Sequence, residues 1–250
     1  MNSPIKKQPP YAALFLVVCC ILAIWACSAD QVEKQPWAEV DNPEWLAVQG
    51  IFEVFTDETG QQSQQVSVTL RYKGSAYVAI QKGKISLAQK PLKVAFYPKT
   101  QRPYYYLADS TLRLLPGQTY DLSIVLSNGK ELTQKITLPQ TAKLTLPDKH
   151  KPNESLEIYW HPDDRKVQLF AERFFKYHTN LQSVGNEEIT LKDTNVFTFQ
   201  PDFFATDTLQ VAQVVFRWQA EQFSKVHKDL NIGSFLRAAL LYEKKVAITK

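Results

Sequence analysis

Cysteine, glycine and histidine are all scarce in this chain, and each shortage removes a class of chemistry. Only 3 of its 250 residues are cysteine; Cys19 and Cys20 sit in an apolar run near the N-terminus, and none follows Cys27. A disulfide framework, a cysteine zinc site and a thiol nucleophile are therefore excluded from everything beyond Cys27. With 8 glycines there is no glycine-rich loop to cradle a phosphate, and no Gly-x-Ser-x-Gly motif occurs. The 4 histidines, His150, His161, His178 and His227, are scattered through the second half without metal-ligand spacing. His161 with Asp163 and Asp164 reads as turn chemistry, and Glu187 and Glu188, as neighbours on a strand, would point to opposite faces. No catalytic residue, metal or cofactor is expected, and the chain reads as a non-enzyme.

Long basic runs are missing too. None is longer than Lys244-Lys245, no aromatic-basic stripe is present, and 29 Lys+Arg stand against 25 Asp+Glu. Nucleic acid is not an expected partner.

What the chain does have begins with Lys6 and Lys7, followed by the uncharged residues 11–26 and then Cys27. The run is shorter than the roughly 20 residues a membrane-spanning helix needs, and its layout is that of a secretory signal. Ile24-Trp25-Ala26-Cys27 resembles a lipobox, with Trp25 departing from it where a small residue usually stands. Residues 1–26 then form a lipoprotein signal peptide, and the mature chain starts at a diacylglyceryl-modified Cys27. An uncleaved signal anchor and a buried hydrophobic helix are the alternatives. Acylation with more than one chain makes anchoring durable, so the lipid bilayer is the first expected partner. Removing Lys6 and Lys7 takes the 29 basic residues to 27 against 25 acidic ones, a nearly neutral mature protein. Residues 27–43 are polar, lack any period and end at Pro43, which reads as a flexible tether. Ser28, Asp30 and Glu33 favour the outer membrane over the inner one, on its periplasmic face or at the cell surface.

Period-two alternation dominates from Trp45 to Leu138. Leu46, Val48, Phe52 and Val54 form an entering strand with a bulge expected at Gly50. Val66, Val68, Leu70 and Tyr72 form a second strand, and Leu92, Val94 and Phe96 a third. A hairpin runs from Pro116 to Pro139. Matching its apolar faces favours a three-residue loop at Asn128-Gly129-Lys130, with Leu126 opposite Leu132 and Leu122 opposite Ile136. After the boundary at Pro139, Leu156, Ile158 and Trp160 alternate again, and further strands are expected at 166–171, 188–191, 195–199, 208–218 and 234–249. Between the last two the period switches: Ala220, Phe223, Val226 and Leu230 share a helical face, predicting a short helix over 219–230. The expectation is all-β, with two tandem β-sandwiches (44–139 and 140–250) and one short helix.

Ser155-Leu-Glu-Ile-Tyr-Trp160 resembles the early tryptophan-bearing strand of fibronectin type III domains. The lipidated start, the Leu115-Pro-Gly-Gln-Thr-Tyr-Asp-Leu122 hairpin and the terminal Asn231-Ile-Gly-Ser-Phe235 strand entry together resemble bacterial, Bacteroidota-type outer-membrane lipoproteins of unknown function. That resemblance implies an Ig-like first domain and a fibronectin-III-like second one. It also implies association with an outer-membrane receptor, transporter or surface assembly. The function it supports is a membrane-anchored, non-catalytic accessory module; the alternative is adhesion or glycan binding through exposed aromatics. Tyr105, Phe203 and Phe204 are the candidate binding aromatics. A core role for Tyr104 and Tyr106, with Tyr105 covering the seam between domains, is the structural alternative.

Overall fold

The computed structural model describes residues 36–74, 76–140, 144–159, 167–190, 196–205 and 211–249. Cys27 and the expected signal peptide, Trp160 and the corner at residues 161–164 lie outside the described residues. The first half forms β1 (Trp37–Ala38), β2 (Leu46–Thr56), β3 (Gln62–Tyr72), β4 (Ala76–Tyr77), β5 (Ala79–Ile80), β6 (Lys84–Leu87), β7 (Lys90–Phe96), β8 (Pro103–Leu107), β9 (Thr119–Val125) and β10 (Glu131–Thr137). The second half forms β11 (Lys149–His150), β12 (Leu156–Tyr159), β13 (Val167–Tyr177), β14 (Asn180–Thr190), β15 (Val196–Phe199), β16 (Val211–Ser224) and β17 (Phe235–Ile248). The fold is all-β, as the alternation requires.

One mixed sheet runs β10-β9-β6-β7-β8-β3-β2-β17-β16-β13-β14. It turns over at the tight β6–β7 hairpin, where Ala88 and Gln89 both take positive φ. That reversal lays β6, β9 and β10 against β2, β3 and β17. Val48 and Phe52 meet Leu122, Ile124 and Ile136 there in a first hydrophobic core. Fully burying a side chain of this size contributes roughly 1.5–3 kcal/mol. A second core gathers Ile158 and Phe199 from the β12–β15 pair against Leu169, Phe216 and Val246. Strand β17 serves both cores, pairing parallel with β2 over Phe235–Tyr242 and with β11 at its end; Tyr242 packs against each. Pro36–Lys250 form one compact unit.

Four local expectations are corrected. The stretch expected as tether already belongs to the body from Pro36 onward: β1 pairs with β5, and Val40 is fully buried. Gly50 makes no bulge, because β2 and β3 pair without a register shift. A Cβ there would lie 2.7 Å from both Leu236 Cδ2 and Phe52 Cε2, so glycine is needed for close approach.

The hairpin loop is Ser127-Asn128-Gly129, one residue earlier than expected. Leu132 therefore pairs with Ile124 and Gln134 with Leu122. Ser127 leaves the ladder because its Oγ accepts from Val40 N and donates to Gln81 O. Gly129 takes the left-handed conformation, at φ 84°.

The helix at 219–230 is absent from the described structure. β16 continues to Ser224, and residues 219–224 pair with 236–241 of β17. Without that pairing, the first half of β17 would carry an open ladder on one side, and closing it overrides a weak helical period. The apolar set is split accordingly: Ala220 and Leu230 are buried, while Phe223 is exposed.

Candidate functional site

The two cores lie on the same face of the long sheet, since β17 contributes its even-numbered residues to both. The opposite face carries cross-strand rows, and partners in a row share a face. One row reads Tyr106–Ser67–Ile51–Arg237–Phe223, and the next Thr69–Gln49–Phe235. Arg237 reaches across this face to two carboxylates, donating from Nη1 to Glu53 Oε1 at 3.0 Å and from Nε to Glu221 Oε2 at 2.7 Å. Arg217 is held the same way, by Glu172 at 2.7 Å and Glu243 at 2.8 Å, and Arg217 holds the Glu172 carboxyl below its ordinary range.

Gln49, Ile51, Ser67 and Thr69 form the floor of an open cavity of about 650 Å³ that the β7–β8 loop borders. Tyr77 and the loop residues Tyr97 and Arg102 make one wall, and Phe235 takes part in the lining. The loop is closed by its own backbone: Tyr97 N donates to Arg102 O at 3.0 Å, and Gln101 N to Tyr97 O at 2.8 Å. Tyr97 lies against Tyr104 with ring centroids 4.5 Å apart and planes tilted by 32°, and Tyr104 meets Tyr106 at 6.0 Å. Arg102 Cζ lies 4.7 Å from the centre of the Tyr77 ring and Arg71 Cζ 5.5 Å from it. Tyr97 and Phe235 remain 43% and 37% exposed, which leaves ring area free for a ligand. The volume falls within the roughly 300–1,000 Å³ of small-ligand sites.

The aromatics singled out in the sequence lie elsewhere. Tyr105 is 3% exposed. β8 pairs Tyr105 with Val68, which faces the core, so Tyr104 and Tyr106 are the residues that point outward. Its hydroxyl accepts the Ile80 N–H at 2.7 Å, and burial pushes its pKa up to about 12. Phe203 and Phe204, at 7% and 0% exposure, enter the second core. The short 3-10 turn Pro201–Phe203 folds the chain back there, and the two rings meet edge-on at 5.1 Å.

His150 packs its ring against Phe204 at 4.7 Å, and His227 Nδ1 accepts from Asp229 N. Among the described residues no group of three His, Cys, Asp or Glu could hold a metal ion, and no helix is long and apolar enough to cross a membrane. The pocket residues Tyr77, Tyr97, Arg102 and Phe235 were missed from sequence. Their one local signal is the pair of prolines, Pro98 and Pro103, bracketing a loop flanked by aromatics.

No protein-family model matches the chain, and neither does any curated protein. Among solved structures, trypsin-activated alpha-2-macroglobulin from Escherichia coli is 10% identical with a TM-score of 0.23, over 83% of this chain and 16% of that one. The SGBP-B protein of the Bacteroides ovatus mixed-linkage glucan utilization locus, in complex with a mixed-linkage heptasaccharide, is 9% identical with a TM-score of 0.18. That match covers 82% of this chain and 60% of that one. The chain thus spans less than two thirds of either protein.

Proposed function

We propose that this protein is a non-catalytic binding module, anchored to the bacterial outer membrane through an acylated Cys27, that takes a saccharide in the pocket beside the β7–β8 loop. The carrying observation is the lining itself: exposed Tyr97 and Phe235 with Tyr77 above a floor of Gln49, Ser67 and Thr69. Aromatic rings suit the apolar faces of sugar rings, and hydroxyl and amide groups suit their hydroxyls. A glycan array probed with the full chain in detergent, followed by calorimetry, tests the reading. Tyr97→Ala is expected to weaken binding roughly tenfold, the order of one aromatic contact. An array without retained sugars would remove the reading. Mass spectrometry of the mature N-terminus tests the anchor separately.

A protein-accessory role is favoured by one separate observation. β14 pairs only with β13 among the described residues, leaving an 11-residue edge open to strand addition by a receptor or transporter. Mild cross-linking of the native lipoprotein would recover such a partner in stoichiometric yield, and an empty pull-down would count against it.

A further inference from the structure

Ion pairs hold several of the cations on the surface of the described body. Arg217 and Arg237 are each clasped by two carboxylates, and Lys90, Lys130, Lys244 and Lys245 each pair with one. The pocket holds no such pair. Its lining includes Lys99 and Arg102 and no carboxylate at all, and neither cation pairs with an acid among the described residues. Glu53, on the neighbouring row of the same face, is already engaged by Arg237. Arg102 is instead laid over Tyr77, with Arg71 over the same ring, so planar guanidinium groups are ordered beside an aromatic wall before any ligand arrives. A pre-ordered guanidinium loses little entropy on forming a two-pronged bond to an oxyanion, and such charge-assisted bonds are about twice as strong as neutral ones.

We infer that the pocket is selective for acidic saccharides, sugars carrying a carboxylate or sulfate. Arg102 and Lys99 receive the anion while Tyr97, Tyr77 and Phe235 receive the ring faces. This rests on the saccharide-binding reading above and narrows it. A neutral sugar would leave both cations without a counter-charge from the ligand. An acidic one supplies the carboxylate or sulfate that the lining lacks.

The test titrates the full chain in detergent with an oligouronide, with its carboxyl-reduced neutral counterpart, and with a sulfated form of that neutral sugar. The oligouronide or the sulfated sugar is expected to bind at least tenfold more tightly than the neutral one at low salt. The difference should shrink as salt is raised toward 1 M, where screening shortens to about 3 Å. Arg102→Gln and Lys99→Gln should each reduce the preference and their combination abolish it, whereas Tyr97→Ala should weaken all three sugars together. Arg102→Lys, which keeps the charge and loses the fork, should retain part of the preference. Unchanged thermal unfolding of each variant separates lost recognition from lost folding. Equal binding of acidic and neutral sugars, or a preference that survives the double substitution, overturns the inference and leaves the saccharide reading standing. Absence of binding to all three sugars overturns both.

Discussion

The side-chain oxygen of Gln134, buried in the first core, accepts the backbone N–H of His227 at 2.8 Å. This bond ties β10 to the segment between β16 and β17. It exists because the hairpin register brings Gln134 opposite Leu122, on the core side of its strand. Gln134→Leu would leave the His227 N–H without a partner, at a cost of roughly 1–3 kcal/mol. Urea denaturation should show a lower midpoint with an unchanged slope, the signature of lost stability without a changed unfolded state.

Tyr105 makes alkaline stability a test of the core. Its pKa is raised from 10 to about 12, so the folded state favours the neutral phenol. That contribution is complete below pH 10 and is lost as pH rises from 10 to about 12, because the unfolded chain ionises first. Tyr105→Phe should remove this share of the alkaline loss. At neutral pH it should also lower stability by roughly 1–3 kcal/mol, since the Ile80 N–H would lose its acceptor. Thermal unfolding across pH 7–12 reads both effects.

Gly83 tolerates no side chain. A Cβ there would come within 2.3 Å of Ile80 Cγ2 and 2.4 Å of the Val125 carbonyl oxygen, and the latter is backbone that cannot swing aside. Gly83→Ala is expected to destabilise by roughly 1–3 kcal/mol, the range for overpacking. Gly60→Ala is a useful contrast: nothing stands within 4 Å of its Cβ, so any cost arises from its φ of 82° alone.

Asp109 sets an acid-side prediction. The Thr111 hydroxyl and backbone N–H, with Lys90 beside them, hold its pKa down to about 2. A carboxylate lowered in the folded state stabilises above its unfolded value of about 3.9, and the contribution disappears as pH falls from about 4 to 2. Asp109→Asn should flatten the stability curve in that window and leave its shape above pH 5 unchanged. The same turn engages the Thr111 hydroxyl as a donor to Asp109.

Strand identity was legible wherever a long alternation met a turn. Val66, Val68, Leu70 and Tyr72 point inward as their spacing requires, and the hairpin closes at Gly129. The parity of the hairpin was also legible, since Leu122, Ile124, Leu132 and Ile136 share a face. Its register was not: Ser127 is drawn toward Val40 and Gln81, residues far away in sequence. Residues 219–224 misled for a related reason. Their helical spacing is real, yet a strand that begins at Phe235 competes for their backbone and wins. The pocket left almost no local trace, because its floor comes from β2 and β3 and its walls from β4, a loop and β17.

By itself the sequence determined an all-β chain with no disulfide beyond Cys27, built of alternating strands, several of whose turns sit at glycine or proline. Hydrophobic periodicity and turn chemistry are local properties, and they suffice for that. Tertiary structure decided which residue of Tyr104-Tyr105-Tyr106 faces the core, whether 219–224 coils or extends, and which aromatics remain available to a ligand. Alternation fixes only that neighbouring residues face opposite ways. The side that turns inward is set by a cross-strand partner, here Val68 for Tyr105 and Leu241 for Gln219, supplied from elsewhere in the chain.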